Sequence, residues 1–205
     1  MPFLLRVQLP DVPGSLGSVA TAIGEAGGDI DAIEIVEHRA DGTAVDDVLL
    51  ETAPGVMPDS IVSACNTLPG VRVLWISRYA AGGNLFLDLE AVEELTAHPT
   101  QALDRLVEVL PMTFRADWAA RIRRNGDGAD VVHGTGAAPS EVEWHEVARA
   151  VQLEPVEGDD NVLAAVPLLE DELVLIGRRG GPEMLESELA RLGHLVGLAV
   201  SISRS

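Results

Sequence analysis

The first eighty residues switch between two hydrophobic periods in an order that few folds accommodate. Residues 3–9 are a short β-rich run that stops at the turn cluster Pro10-Asp11-Val12-Pro13-Gly14. Leu16, Val19, Ala20 and Ile23 then recur at i, i+3, i+4 and i+7, one face of an amphipathic helix. Gly27-Gly28 ends that helix, because glycine accepts the left-handed conformation of a C-cap. Residues 30–38 read as a strand with Ile33 and Ile35 on one face. Ala40-Asp41-Gly42-Thr43 signals a hairpin, and residues 45–52 are its return strand. Pro54, Gly55 and Pro58 mark a loop. Ile61, Val62, Cys65 and Leu68 form a second helical stripe, stopped by Pro69-Gly70. Val71, Val73, Trp75, Ser77 and Tyr79 alternate as a last strand. The order βαββαβ predicts a four-stranded antiparallel sheet with both helices on one face. The other face needs a cover, and a second copy of the sheet is the simplest one.

The remainder predicts a second α+β domain. The small-residue run Ala80-Ala81-Gly82-Gly83-Asn84 divides the chain into domains at 1–80 and 99–205, with a linker helix at 81–98 carrying Leu85, Leu89, Val92 and Leu95 at helical spacing. Pro99 opens a helix through Leu103, Leu106, Val107 and Leu110, and Pro111 is expected to stop it. Strands are expected at 118–124, 129–133, 148–153, 161–169 and 173–178, with a short helix capped at Ser140-Glu141-Val142-Glu143. Gly180-Gly181-Pro182 opens a final helix, with Leu185, Leu189, Leu192, Leu195, Val196 and Ala199 on one face. This half is an antiparallel sheet with helices packed on it. No internal repeat is visible.

Composition narrows the chemistry. Of 205 residues 47% are hydrophobic but only 3% aromatic, so the cores are aliphatic. All fourteen basic residues are arginine, which excludes a Schiff-base lysine, a Walker A lysine and the kinase strand lysine. The net charge of −19 argues against nucleic acid, which needs a basic face. The local cluster Arg115, Arg121, Arg123 and Arg124 reads as a solvated strand edge and turn. The lone Cys65 forms no intrachain disulfide and no Cys-based zinc site. Residues 1–6 lack the pattern of a signal peptide, and no apolar run reaches the ~20 residues of a membrane helix. A cytoplasmic protein is expected, with no cofactor and no metal.

Candidate catalytic groups do not assemble. His145-Glu146-Val147-Ala148-Arg149 is a zincin motif whose second histidine is Arg149, which reads as a surface helix. Gly134-Thr135-Gly136-Ala137-Ala138-Pro139 begins like a dinucleotide fingerprint but lacks its third glycine, so it reads as a loop. Asp159-Asp160 and Glu170-Asp171-Glu172 read as acidic turns. Cys65 lies on an apolar helical stripe and reads as a buried thiol. No nucleophile, base and oxyanion hole come together, so no catalysis is expected.

The richest constellation is residues 10–16, where a strand ends and a helix begins. The N–H groups of Gly14, Ser15 and Leu16 fall in the first turn, where no intrahelical acceptor exists and the helix dipole adds positive charge. Such an end binds a carboxylate without a basic side chain, and Asp11 is placed to meet an ammonium group. A second reading fits the same residues: Asp11 caps the helix and Pro13-Gly14 is only a tight turn.

Asp11-Val12-Pro13-Gly14-Ser15-Leu16, with Val19, Ile23 and Gly27-Gly28-Asp29-Ile30, resembles the ACT domain pattern D-x-P-G-x-L-x-x-V-x-x-x-I-x-x-x-G-x-N-I over about residues 3–79. ACT domains are ferredoxin-like regulatory modules that pair through their sheets and bind amino acids at the pair interface. The resemblance implies a homodimer and a ligand site at Asp11, Val12, Pro13, Gly14, Ser15 and Leu16, completed by Asp29 and Ile30 of the partner. The family's Asn before Ile is Asp29 here. An ionised Asp only accepts hydrogen bonds, so this change favours an ammonium or cationic ligand, or a domain that has lost amino-acid binding.

The C-terminal half is more weakly similar to a GAF-like domain. The similarity rests on Ala116-Asp117-Trp118-Ala119-Ala120, on Val166-Pro167-Leu168 before Leu173-Val174-Leu175-Ile176-Gly177-Arg178, and on the closing leucine helix. Together the resemblances imply a non-catalytic amino-acid sensor. The alternative they leave open is a regulatory subunit of a separate amino-acid biosynthetic enzyme, marked by an exposed apolar patch on the C-terminal half.

Overall fold

The computed structural model describes residues 2–78, 83–155 and 160–205. Tyr79, Ala80-Ala81-Gly82 of the expected break and Asp159 of the acidic turn lie outside the described residues, as does the Leu85 side chain. The chain divides into two compact units, Met1–Ala81 and Gly82–Ser205.

The first unit runs β1 (Pro2–Pro10), α1 (Ser15–Glu25), β2 (Gly28–His38), β3 (Thr43–Thr52), α2 (Pro58–Asn66) and β4 (Arg72–Arg78). Its antiparallel sheet has the order β2-β3-β1-β4, the arrangement expected of two interleaved βαβ halves. Phe3, Leu5, Val7 and Leu9 alternate along β1 onto one face and pack with Val19 and Ile23 of α1 and Ile61 and Cys65 of α2. Pro58 is the first residue of α2, where its missing N–H costs nothing. On the opposite face the Arg6 guanidinium forks onto the Asp47 carboxylate at 2.7 and 2.9 Å, and both residues are buried.

The second unit contains α3 (Gly83–Ala97), a 3-10 turn (Pro99–Gln101), α4 (Ala102–Phe114), β5 (Trp118–Asn125), β6 (Gly128–Gly134), β7 (Val151–Gln152), β8 (Asn161–Leu169), β9 (Glu172–Arg179) and α5 (Glu186–Ser203). Five strands pair in the order β6-β5-β9-β8-β7, all antiparallel. One face of this sheet joins the helices in a core that includes Leu106, Leu110, Ala119, Ile176, Leu192 and Val196. Ala91 and Leu95 bring α3 into that core. Leu185, Leu189, Leu192, Leu195, Val196 and Ala199 are all buried, as the helical spacing predicts. Among the described residues no helix is long and apolar enough to cross a membrane.

Four local expectations fail for identifiable reasons. Pro111 lies inside α4, which continues to Phe114 before Arg115 takes the left-handed conformation (φ 50°). Proline forfeits one hydrogen bond, and here the last carbonyls are held from outside: Arg191 donates to the Thr113 carbonyl at 2.6 Å and Arg178 to that of Phe114 at 2.8 Å. The Ser140-Glu141-Val142-Glu143 segment is not helical; Val142 instead forms an isolated bridge to Ala129 and packs on the sheet. The final helix starts at Glu186 rather than at Gly180-Gly181-Pro182, because the Leu185 amide is bound by the Glu188 carboxylate at 3.0 Å, the glutamate half of a capping box. His145-Glu146 sits in irregular chain rather than on a helix.

Candidate functional site

The end of α1 is built by a change of backbone direction after β1. The Val12 amide donates to the Pro10 carbonyl at 2.9 Å, and the Ser15 amide to the Val12 carbonyl at 3.2 Å, so Pro13 and Gly14 form a tight turn. Gly14 has φ 96°, which a Cβ would strain, and nothing lies within 4 Å of where that Cβ would stand. No side chain caps the helix. The Ser18 amide reaches the Gly14 carbonyl at 3.1 Å, whereas the amides of Leu16 and Gly17 have no acceptor among the described residues. Val12, Pro13 and Gly14 are exposed, and Ser15 and Leu16 are half-buried. An open helix end with free donors and partial positive charge is thus presented to solvent.

Asp11 does not cap this helix. Its carboxylate accepts from His38 Nδ1 at 2.8 Å, with both side chains largely exposed, and its amide donates to the Gly42 carbonyl at 2.9 Å. The β2–β3 hairpin therefore closes against the β1–α1 turn. Beneath the pair lies a carboxyl that sequence reasoning passed over. Asp46 pairs with Val7 of β1 and Ile35 of β2 and shares the face of Val7 and Val48, toward the helices. It is buried, and its Oδ1 has no hydrogen-bond partner. Burial pushes its carboxyl up; His38 opposes that rise, and Asp11 and Asp47 add to it. The signal was present in Asp46-Asp47, since adjacent carboxylates on a buried strand point one to each face.

Asp29 and Ile30 are not brought to this place within one chain. Asp29 pairs with Glu51, which pairs with Pro2, whereas His38 pairs with Ala44, which pairs with Leu9. Seven strand residues separate those two rows, about 23 Å at about 3.3 Å per residue.

Several charges of the second unit are held in pairs. Glu172 is buried and accepts from Arg121 at 2.6 Å and from Arg123 at 2.6 and 2.9 Å. Burial alone would raise its carboxyl, but the two guanidiniums outweigh that and hold it below the ordinary glutamate range. Arg124 pairs with Glu146 at 2.7 Å and lies over the Trp144 ring. Of the cluster expected on a strand edge and turn, Arg121, Arg123 and Arg124 thus sit on an interior strand paired with carboxylates, whereas Arg115 ends α4. The sheet face away from the helices is filled by Trp118, Ala120, Ile122 and Leu175 under Val142, Trp144 and Val147. Cys65 is buried, and burial pushes its thiol up. Among the described residues, no group of three or more His, Cys, Asp or Glu is placed to hold a metal.

Comparison with known proteins gives two kinds of likeness. Among solved structures, the chain is similar to free methionine-R-sulfoxide reductase from Neisseria meningitidis in complex with its substrate, at 11% identity over 62% of this chain and 94% of that one, with a TM-score of 0.49. It is similar to the GAF domain of an Acinetobacter phosphoenolpyruvate-protein phosphotransferase, at 13% identity over 61% of this chain and 95% of that one, TM-score 0.46. The corresponding GAF domain from Coxiella burnetii shows 16% identity over 60% and 96%, TM-score 0.44. No curated protein matches the chain. Residues 3–56, from β1 through the loop that follows β3, match the family model of the ACT domain, the module whose pattern opens at Asp11.

Proposed function

We propose that the protein is a non-catalytic regulator that binds a small molecule, an amino acid or a close relative, at the end of α1 in a pair of ACT-like units. The observation that carries this reading is the open helix end: Gly14 with empty space before it, and the unsatisfied amides of Leu16 and Gly17. A carboxylate bridging those amides gains charge-assisted hydrogen bonds and the helix dipole without any lysine or arginine. Asp11 supplies the opposite charge beside it, and its exposed pairing with His38 is weak enough to exchange for a ligand ammonium. Because Asp29 and Ile30 lie at the far end of the sheet, they join this site only as residues of a second copy. Binding across such an interface would stabilise the pair by linkage, which couples ligand to assembly.

A thermal-shift screen of the full chain against the twenty amino acids, with solution mass alongside, tests the reading. A ligand at ~100 times its Kd adds about 2.7 kcal/mol, a shift of several degrees. The shift should be selective, should be lost in Gly14→Val and should accompany a dimer mass. A flat screen on folded protein overturns it.

One observation favours the second reading, a regulatory subunit of a separate amino-acid biosynthetic enzyme. The second unit exposes Phe86, Leu89 and Met112 at 49%, 54% and 63%. Large apolar side chains left exposed on α3 and α4 are what such an interaction surface would use.

A further inference from the structure

Helices α3 and α4 pack together over Ala91, Leu95, Leu106 and Leu110 and leave an open groove of about 340 Å³ between their outer faces. Leu87, Ala91, Val109 and Met112 give it an apolar floor and wall, and Met112 is largely exposed. The charged groups lining it are Glu90, Glu94 and Glu108 against Arg105. Arg105 is held by Glu94 at 3.1 Å, and Glu108 by His133 at 2.7 Å. Glu90 has no ion-pair partner among the described residues. The two helices together carry Asp88, Glu90, Glu93, Glu94, Asp104, Glu108 and Arg105; Arg191 pairs with Asp88 at 3.2 Å and Arg121 with Asp104 at 2.9 Å, which leaves Glu90 and Glu93 as their carboxylates without an ion pair among the described residues.

From this charge distribution we infer that the groove docks a cationic amphipathic helix of another polypeptide. A cleft between two packed helices accepts a third by ridges-into-grooves packing, and its lining runs along α3 from Leu87 to Glu94, about 12 Å or two turns of a guest helix. Apolar anchors of the guest enter beside Met112 and Leu87, and its Lys or Arg residues meet Glu90. A second copy of this chain is the wrong occupant. A two-fold interface sets the same surface against itself and would face these carboxylates with their own duplicates, on a chain already at −19. The inference rests on the regulatory-subunit reading. Its probe is a synthetic peptide rather than an enzyme, so failure of the groove and failure of that reading are told apart.

The test uses the full chain and a labelled 18-residue Leu/Lys amphipathic peptide, read by fluorescence anisotropy. A Leu/Glu peptide of the same pattern and a sequence-scrambled Leu/Lys peptide serve as comparisons. The Leu/Lys helix should bind at least about tenfold more tightly than either. Glu90→Arg and Met112→Glu, both on the surface, should each weaken it about tenfold, and Glu25→Arg on α1, equal in charge change to Glu90→Arg, should not. Equal loss in Glu25→Arg and Glu90→Arg would reduce the effect to net charge and overturn the proposal. So would a wild-type dimer that Met112→Glu converts to monomer, because the groove would then belong to a second copy.

Discussion

Trp118 of β5 lies directly across Gly177 of β9, and a Cβ on Gly177 would overlap the indole ring. Trp118 is 8% exposed and heads the cluster that closes the outer face of the second sheet. A cross-strand glycine is what lets so large a ring lie flat on the sheet. That face is therefore a packed core rather than a cleft.

Gly177→Ala should destabilise the second unit by about 1–3 kcal/mol, the usual range for overpacking. In a Trp118→Val background the same change should cost little, since the overlap is gone. Urea unfolding of the four proteins forms the cycle. Equal cost in both backgrounds would show that the glycine answers a backbone need instead.

Glu172→Gln should cost about 3 kcal/mol, because two guanidiniums lose the buried charge they share. The pH dependence has a definite sign. The folded carboxyl is held below its unfolded value, so its contribution is complete above the unfolded pKa of about 4.3 and is lost as pH falls through the folded one. The variant should be less stable at neutral pH and should lose less stability between pH 5 and 3. Urea midpoints across that range give the answer, and parallel curves for the two proteins would refute it.

The long-period features of the fold are legible in the sequence. The βαββαβ order, the turn at Gly14 and the leucine face of α5 all follow from spacing and glycine, because each is decided by contacts within one element. What is not legible depends on partners distant in the chain. Pro111 is tolerated in α4 because Arg178 and Arg191, sixty or more residues on, hold the carbonyls at its end. Val142 forsakes a helix for a sheet 13 residues earlier. At the candidate site, the glycine and free amides were readable, whereas the Asp11–His38 pairing spans 27 residues and needs the hairpin to be folded first.

Asp46→Asn should stabilise the first unit at pH 7, because the neutral amide escapes the desolvation that burial imposes on the carboxylate charge. Its folded pKa is raised, so Asp46 opposes folding least below the unfolded value of about 3.9 and most once the pH has passed the folded one. The gain from asparagine should therefore shrink toward zero as the pH falls below that unfolded value. Differential scanning calorimetry at pH 3 and 7 measures it, and a stabilisation that is the same at both would assign the effect to something other than charge.

Arg178 ties three segments together from a buried position. It donates to the Phe114 carbonyl at 2.8 Å, to that of Arg115 at 3.3 Å and to that of Pro182 at 2.9 Å, and it meets Glu188 at 3.0 Å. The other Glu188 oxygen accepts the Leu185 amide that opens α5. One guanidinium thus ends α4 and fixes the carboxylate that begins α5. Arg178→Met removes both functions and takes the buried guanidinium from the Glu188 carboxylate, so a loss of about 3–5 kcal/mol is expected. Arg178→Lys keeps the charge but not the planar fork, so it should restore the Glu188 contact and leave the α4 carbonyls unmet. Hydrogen exchange separates the two effects. In the lysine variant the amides of α5 should stay protected while those at the end of α4 exchange faster. Wild-type protection of both helices in the lysine variant would show that Arg178 acts through charge alone.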